Sequence, residues 1–264
     1  MKKTTIVGFA LAAIIAGCNQ TETPTAQNGA YSLDKVIWND GTKDTETLAT
    51  DGNTQFKIYT DASYFYIAEA KDSTVSFGVG SYIQKDAKNI EEVNIFNSGS
   101  LDTASAAQLE ITKTEKGYNQ FIPELVVRGA KWSGTEYYTK LEGTGGTSEL
   151  DGVWQQAKSL EITGLDTADR TYNEYKVYQA GHFMWAAMYK TDTTAANFTK
   201  AIGKGRFTLN KDAITENLTF SSNRSWVGMY NMQLLFNGPD EFTQSITDTI
   251  SKMTIIKTYK RVSK

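Results

Sequence analysis

Phe56-Lys57-Ile58-Tyr59 returns as Tyr175-Lys176-Val177-Tyr178, and the echo continues along the chain. Tyr64-Phe65-Tyr66-Ile67-Ala68 returns as Phe183-Met184-Trp185-Ala186-Ala187. Gly78-Val79-Gly80-Ser81-Tyr82 returns as Gly203-Lys204-Gly205-Arg206-Phe207. Ile90-Glu91-Glu92, with Phe96 and Ser98 behind it, returns as Ile214-Thr215-Glu216 with Phe220 and Ser222. The order is kept and the offset drifts only from 119 to 125 residues. Solenoid units repeat every 20–50 residues or so, so a period this long marks a duplicated domain. Explaining one copy of about 115 residues explains the fold of the chain.

Each copy reads as strands. Thr, Tyr, Phe, Val and Ile are abundant, and helical periodicity is poor. Turn signals recur about every ten residues, at Asn39-Asp40-Gly41, Asp51-Gly52-Asn53, Glu115-Lys116-Gly117, Ala180-Gly181 and Asn237-Gly238-Pro239. The clearest alternation is Trp226, Gly228, Tyr230, Met232, Leu234 and Phe236, an apolar and aromatic face at period two. About eight such runs per copy predict an up-and-down antiparallel barrel. Short helices are expected only near Ala195–Ala201 and Asp240–Thr249. The chain is expected to divide into a signal segment (1–17), a tether (18–28), a first barrel (29–142), a Gly-rich linker (143–149) and a second barrel (150–264).

The start of the chain reads as an address. Met1-Lys2-Lys3 is basic, Ile6 to Ile15 is apolar but too short to span a bilayer as a helix, and small residues follow. Ile15-Ala16-Gly17-Cys18 resembles the bacterial lipobox. That resemblance implies cleavage before Cys18 and diacylglycerol on its sulfur, with acyl chains of the palmitate kind holding the protein to a membrane. The polar run Asn19–Asn28 then serves as a flexible tether. Asn19 follows the cysteine, where an aspartate would resemble an inner-membrane retention signal. The expected place is therefore the outer membrane or cell envelope, lipid-anchored and extracytoplasmic. Cys18 is the only cysteine, so no disulfide within the chain is expected. Charge is near balance, with 27 basic against 30 acidic residues, and no basic run suggests nucleic acid.

Two short elements sharpen the fold. Gly152-Val153-Trp154 opens the second copy and Arg261 nearly closes it. This pattern resembles lipocalins, which carry Gly-x-Trp on the first strand and an arginine on the last that packs across the tryptophan. A guanidinium over an indole face gains cation–π attraction while its donors reach carbonyls. With His182-Phe183-Met184-Trp185, Gly203-x-Gly-x-Phe207 and Glu216-Asn217-Leu218, residues 150–264 look like the lipocalin-like lipoproteins of the Bacteroidetes. The resemblance implies two tandem lipocalin-like barrels closed in the second copy by Trp154 and Arg261. The first copy departs at those points, with Tyr31 for Trp154 and Lys140 for Arg261. Five Asp-Ser/Thr triplets, at Asp72, Asp102, Asp166, Asp192 and Asp248, look like O-glycosylation sequons of that group.

Chemistry is sparse. One histidine, His182, sits at a strand start, and its counterpart in the first copy is Ser63. A satisfied strand-end histidine is expected there; no catalytic residue, metal ligand or cofactor is expected. Gly78-x-Gly80 and Gly203-x-Gly205 precede strands, whereas phosphate-cradling glycines open a helix. They predict bulges or close backbone approach. Glu92 and Glu216 either point inward, to meet a polar ligand group, or alternate outward into solvent. Trp185, Tyr189, Phe207, Glu216, Trp226 and Tyr230 are the candidate lining of a ligand cavity in the second barrel. Two functions stay open. One is binding of a small apolar or amphipathic ligand; the other is a non-catalytic module with filled barrels that holds an envelope protein or a glycan.

Overall fold

The computed structural model describes residues 27–99, 106–127, 129–143, 147–190, 198–248 and 250–263. Cys18, the signal segment and most of the tether lie outside the described residues, as do Asp102, Asp192 and Thr249 of the triplets. Among the described residues, eighteen strands form two antiparallel sheets of the same design. The first holds β1 (Gly29–Asn39), β2 (Asp44–Leu48), β3 (Thr54–Tyr59), β4 (Ser63–Glu69) and β5 (Val75–Gln84), then β6 (Asn89–Asn97), β7 (Ala106–Lys113), β8 (Gly117–Val127) and β9 (Ala130–Lys140). The second holds β10 (Gly152–Thr163), β11 (Asp166–Asp169), β12 (Asn173–Gln179), β13 (His182–Tyr189) and β14 (Thr199–Asn210), then β15 (Ala213–Ser221), β16 (Gly228–Phe236), β17 (Glu241–Thr247) and β18 (Met253–Ser263).

Each sheet closes on itself, β1 on β9 and β10 on β18, giving two eight-stranded up-and-down barrels with one extra strand each. The long first strand makes this possible. The start of β10 pairs with β12, its far half pairs with β11, and its other edge carries β18 throughout. Bulges at Gln156/Lys158 and Val79/Gly80, among others, bend the strands enough for closure. The expected helix at Asp240–Thr249 is strand β17 instead, and Thr199–Ala201 belongs to β14. Phe242 and Gln244 point inward at period two, so pairing with β16 and β18 overrides any local helical preference. Trp226, expected to begin β16, lies in a short 3-10 turn just before it.

The two glycines of each Gly-x-Gly have different reasons. A Cβ on Gly205 would lie 2.0 Å from the Asn217 carbonyl oxygen, and one on Gly80 would lie 1.9 Å from that of Val93. Both sit at the register shift of a bulge. The first glycine instead makes room for a ring on the neighbouring strand. A Cβ on Gly203 would meet the Trp185 indole at 2.5 Å, and one on Gly78 would meet Tyr66 at 2.4 Å.

The outward faces of β3–β6 and β12–β15 pack against each other and form a third core between the barrels. Ile58, Phe65, Val79 and Phe96 meet Val177, Met184, Ala186 and Ile202 there, all essentially buried. Phe96 stacks on Tyr175 at 4.7 Å, and Phe220 meets Phe56 edge-on at 5.7 Å. Phe96 and Phe220 are repeat partners, as are Phe56 and Tyr175. The same patch is therefore used from both sides, the pattern of an isologous dimer. Each buried side chain of this size contributes about 1.5–3 kcal/mol, so the junction is a permanent core. The barrels stand side by side in the same direction. At the closed ends His182 and Arg206 both reach the Glu142 carbonyl oxygen, at 2.8 and 2.7 Å. At the open ends Arg224 pairs with Glu69 at 2.6 Å.

Candidate ligand-binding site

The second barrel is built in three levels. Its closed end is a solid plug. Trp154 is fully buried and donates its indole N–H to the Leu150 carbonyl at 2.7 Å. The Arg261 guanidinium lies 3.9 Å from the Trp154 ring centroid and donates to the carbonyls of Asp151 (2.6 Å), Glu149 (2.8 Å) and Pro239 (3.1 Å). Phe242 meets Trp154 edge-on, and Phe207 meets Tyr178 edge-on at 4.9 Å. Phe207 thus belongs to the packed floor and not to a cavity wall. In the first barrel Tyr31 keeps part of this plan, donating to the Gln27 carbonyl at 2.9 Å and packing edge-on against Tyr118 at 4.8 Å.

Above the plug lies a buried polar layer. Lys176 donates to both oxygens of Glu216, at 2.7 and 3.0 Å, and to Gln244 Oε1 at 3.1 Å. Tyr178 donates its hydroxyl to Glu216, and Gln244 Nε2 reaches the Tyr178 oxygen at 3.0 Å. Beside this cluster, Lys257 donates to Glu174 Oε2 at 2.8 Å and Tyr259 donates to Glu174 Oε1. Ions are stripped of water here at a cost of several kcal/mol each, and only dense pairing offsets it. Burial alone would raise the Glu174 carboxyl. Lys257 and Lys176, with the donors of Lys257 and Tyr259, hold it below the usual carboxylate range. Burial and the adjacent carboxylates push the Tyr178 and Tyr259 phenols well above their ordinary value, so both stay hydroxyl donors.

Glu216 therefore points inward, and so does its counterpart Glu92, which is held by Lys57 at 2.6 Å and by the Tyr59 hydroxyl. Lys57 and Lys176 are the partners, and the repeat carries both. Lys176 stands two residues before Tyr178, so the two share a strand face. A lysine kept mid-strand among apolar neighbours was the available signal. Glu174, Gln244 and Lys257 carried no such signal, because each comes from a different strand.

At the open end lies a cavity of about 490 Å³. Trp185, Tyr189, Trp226, Tyr230 and Glu216 all line it. Gly203 leaves the Trp185 indole its space, and the ring lies 5.8 Å from Trp226. The Tyr230 hydroxyl donates to the Trp226 carbonyl at 2.5 Å, tying the turn to β16. Tyr189 packs on Tyr172 at 5.3 Å. Met232, Leu218 and Ala187 complete this apolar wall, while Ser159, Glu161, Glu174 and Lys257 from β10, β12 and β18 form a polar one. The mouth opens to solvent past partly exposed Trp226, Ile246 and Ile255.

His182 lies away from this cavity, at the junction between barrels. Burial lowers its pKa, so it is neutral at pH 7 and bonded to a carbonyl. Among the described residues no cluster of His, Cys, Asp and Glu is arranged to hold a metal ion. No helix among them is long and apolar enough to cross a membrane. Compared with known proteins, the chain matches no protein-family model, and no curated protein matches it in sequence.

Proposed function

We propose that this protein is a lipocalin-like envelope lipoprotein of the Bacteroidetes type. It is anchored through Cys18 and binds a small amphipathic molecule in the mouth of its second barrel. One observation carries the binding: a cavity of about 490 Å³ with an aromatic wall facing a polar one. Small-molecule sites are typically concave volumes of about 300–1,000 Å³, mostly apolar, with a few fixed polar groups. The anchoring and the envelope location rest on the lipobox alone. In this reading the protein acts without catalysis; Glu92, Glu174 and Glu216 are each held by a lysine and a tyrosine.

Native mass spectrometry on protein purified from its own envelope tests this reading, together with tryptophan emission during ligand titration. A retained small molecule, and emission changes lost in Trp226→Ala, are expected. Protein that arrives empty and titrates with no amphiphile would sink the proposal.

A second reading, a module that binds an envelope protein or glycan, draws on the outer surface. Met229 and Leu235 on the outside of β16, and Leu165 and Ile250 at hairpin tips, are exposed. Exposed apolar groups of this kind mark interaction surfaces when they are contiguous. Cross-linking in intact cells to one recurrent partner, abolished by Met229→Ser with Leu235→Ser, would favour it.

A further inference from the structure

The polar wall of the cavity is not evenly satisfied. Glu216 accepts from Lys176, Tyr178 and Gln244, and Glu174 accepts from Lys257 and Tyr259. Lys176 spends its donors on Glu216 and Gln244 and is buried. Lys257 differs. It donates to Glu174 and to no other side chain among the described residues, and its side chain is 29% exposed where it lines the cavity. An ammonium has three donors, so Lys257 keeps two for whatever enters. Ser159, in register with Lys257 on β10, lines the same wall.

The first barrel supplies an internal control. By the repeat, Glu174 corresponds to Gln55, and Lys257 to Glu136. There Gln55 donates to Glu136 Oε1 at 3.1 Å and Gln120 donates to Oε2 at 2.8 Å. The fold thus accepts either pair at these positions. The cation in the second barrel is not demanded by the framework.

We infer that Lys257 receives an anionic head group, so that the ligand is an amphiphile with a carboxylate or phosphate head and an apolar tail. The head sits against Lys257 and Ser159, and the tail lies among Trp185, Trp226, Tyr230 and Met232. This rests on the cavity being a binding site at all. Charge-assisted hydrogen bonds are about twice as strong as neutral ones. A head group that completes the lysine's donors, rather than breaking its pair with Glu174, gains that interaction without leaving a buried carboxylate alone.

The test uses the purified chain and four probes of one tail length: laurate, dodecyl phosphate, dodecanol and dodecyltrimethylammonium. Binding is read by calorimetry and tryptophan emission. Wild-type protein is expected to bind an anionic probe about tenfold more tightly than dodecanol, and the cation weakest. Whichever of laurate and dodecyl phosphate binds more tightly identifies the head. The double variant Glu174→Gln with Lys257→Glu installs the first barrel's pair. It is expected to fold, to lose the anion preference and to favour the cation. Glu174→Gln alone frees Lys257 and is expected to tighten the anion. Equal binding of all four probes, or an unchanged preference in both variants, overturns the head-group assignment while the cavity reading stands. Failure of every probe to bind overturns both.

Discussion

The two barrels share a frame and differ in what they place on it. Both have the Gly-x-Gly pair, the inward Lys–Glu–Tyr cluster and the closing first strand. The second adds Trp154 under Arg261 at the closed end and Trp185 beside Trp226 at the mouth. The first has Tyr31 and Lys140 at the closed end and Tyr66 where Trp185 would be. What duplication conserved is what the barrel needs in order to close and to neutralise its interior. What diverged is the lining that a ligand would touch. That difference is why binding is proposed for the second copy, with the first packed against it as a companion.

The largest effect should come from the shared cluster, which tests whether the barrels are equivalent where they look equivalent. Lys176→Met strands the buried Glu216 carboxylate and is expected to cost about 3–5 kcal/mol in urea denaturation. Lys57→Met should cost the same through Glu92. Adding Glu216→Gln to Lys176→Met should recover a large part. A neutral single variant would show that the pair is not buried as described.

The closed ends should behave unequally. Arg261→Ala removes a cation–π contact and charged donors to three carbonyls, an expected loss of about 2–4 kcal/mol. Lys140→Ala, at an exposed position, should stay within about 0.5 kcal/mol. Equal losses would erase the distinction between the two plugs.

The glycines separate frame from function. Gly203→Ala pushes on Trp185, and Gly78→Ala pushes on Tyr66 and Asn94. Both should cost about 1–3 kcal/mol as overpacking. Only Gly203→Ala should weaken probe binding and shift tryptophan emission.

The smallest effects are of opposite sign. Glu174 is held below its ordinary range, so its charge stabilises the fold above the unfolded value of about pH 4.3. That contribution is lost as pH falls through the folded value. Glu136 is raised by burial, which Lys57 only partly offsets. Its contribution is full below the unfolded value and is lost as pH rises through the folded one. Glu174→Gln should therefore destabilise, and Glu136→Gln stabilise, at pH 7. In denaturant melts the Glu136 difference should vanish below about pH 4.3, and the Glu174 difference only as pH falls further, through the folded value. Matching signs would contradict the exchanged charges.

Much of this was legible in the chain because duplication and alternation are local properties. A repeat at a constant offset announces two equal domains, and period-two patterning with regular turns announces strands. Gly152-x-Trp154 with Arg261 announced the plug because bulky, specific groups at strand ends leave a motif. Trp185, Tyr189, Trp226 and Tyr230 were nameable as lining since aromatics on one strand face have few other places to go. Phe207 shared that signal and packs in the floor, because height within a barrel depends on shear between strands and not on the strand's own pattern.

Three things needed the folded chain. Whether Glu216 faced inward depended on register with β14 and β16, since a slip of one residue reverses every side chain. Its partner Lys176 lies 40 residues away, and Glu174 meets Lys257 across 83. Contacts at such separations leave no trace in spacing. The packing of the outward faces of β3–β6 against β12–β15 was equally hidden, since a strand buried on both faces reads like any apolar run. Composition and periodicity set which surfaces must be covered; the closure of the sheets decided what covers them.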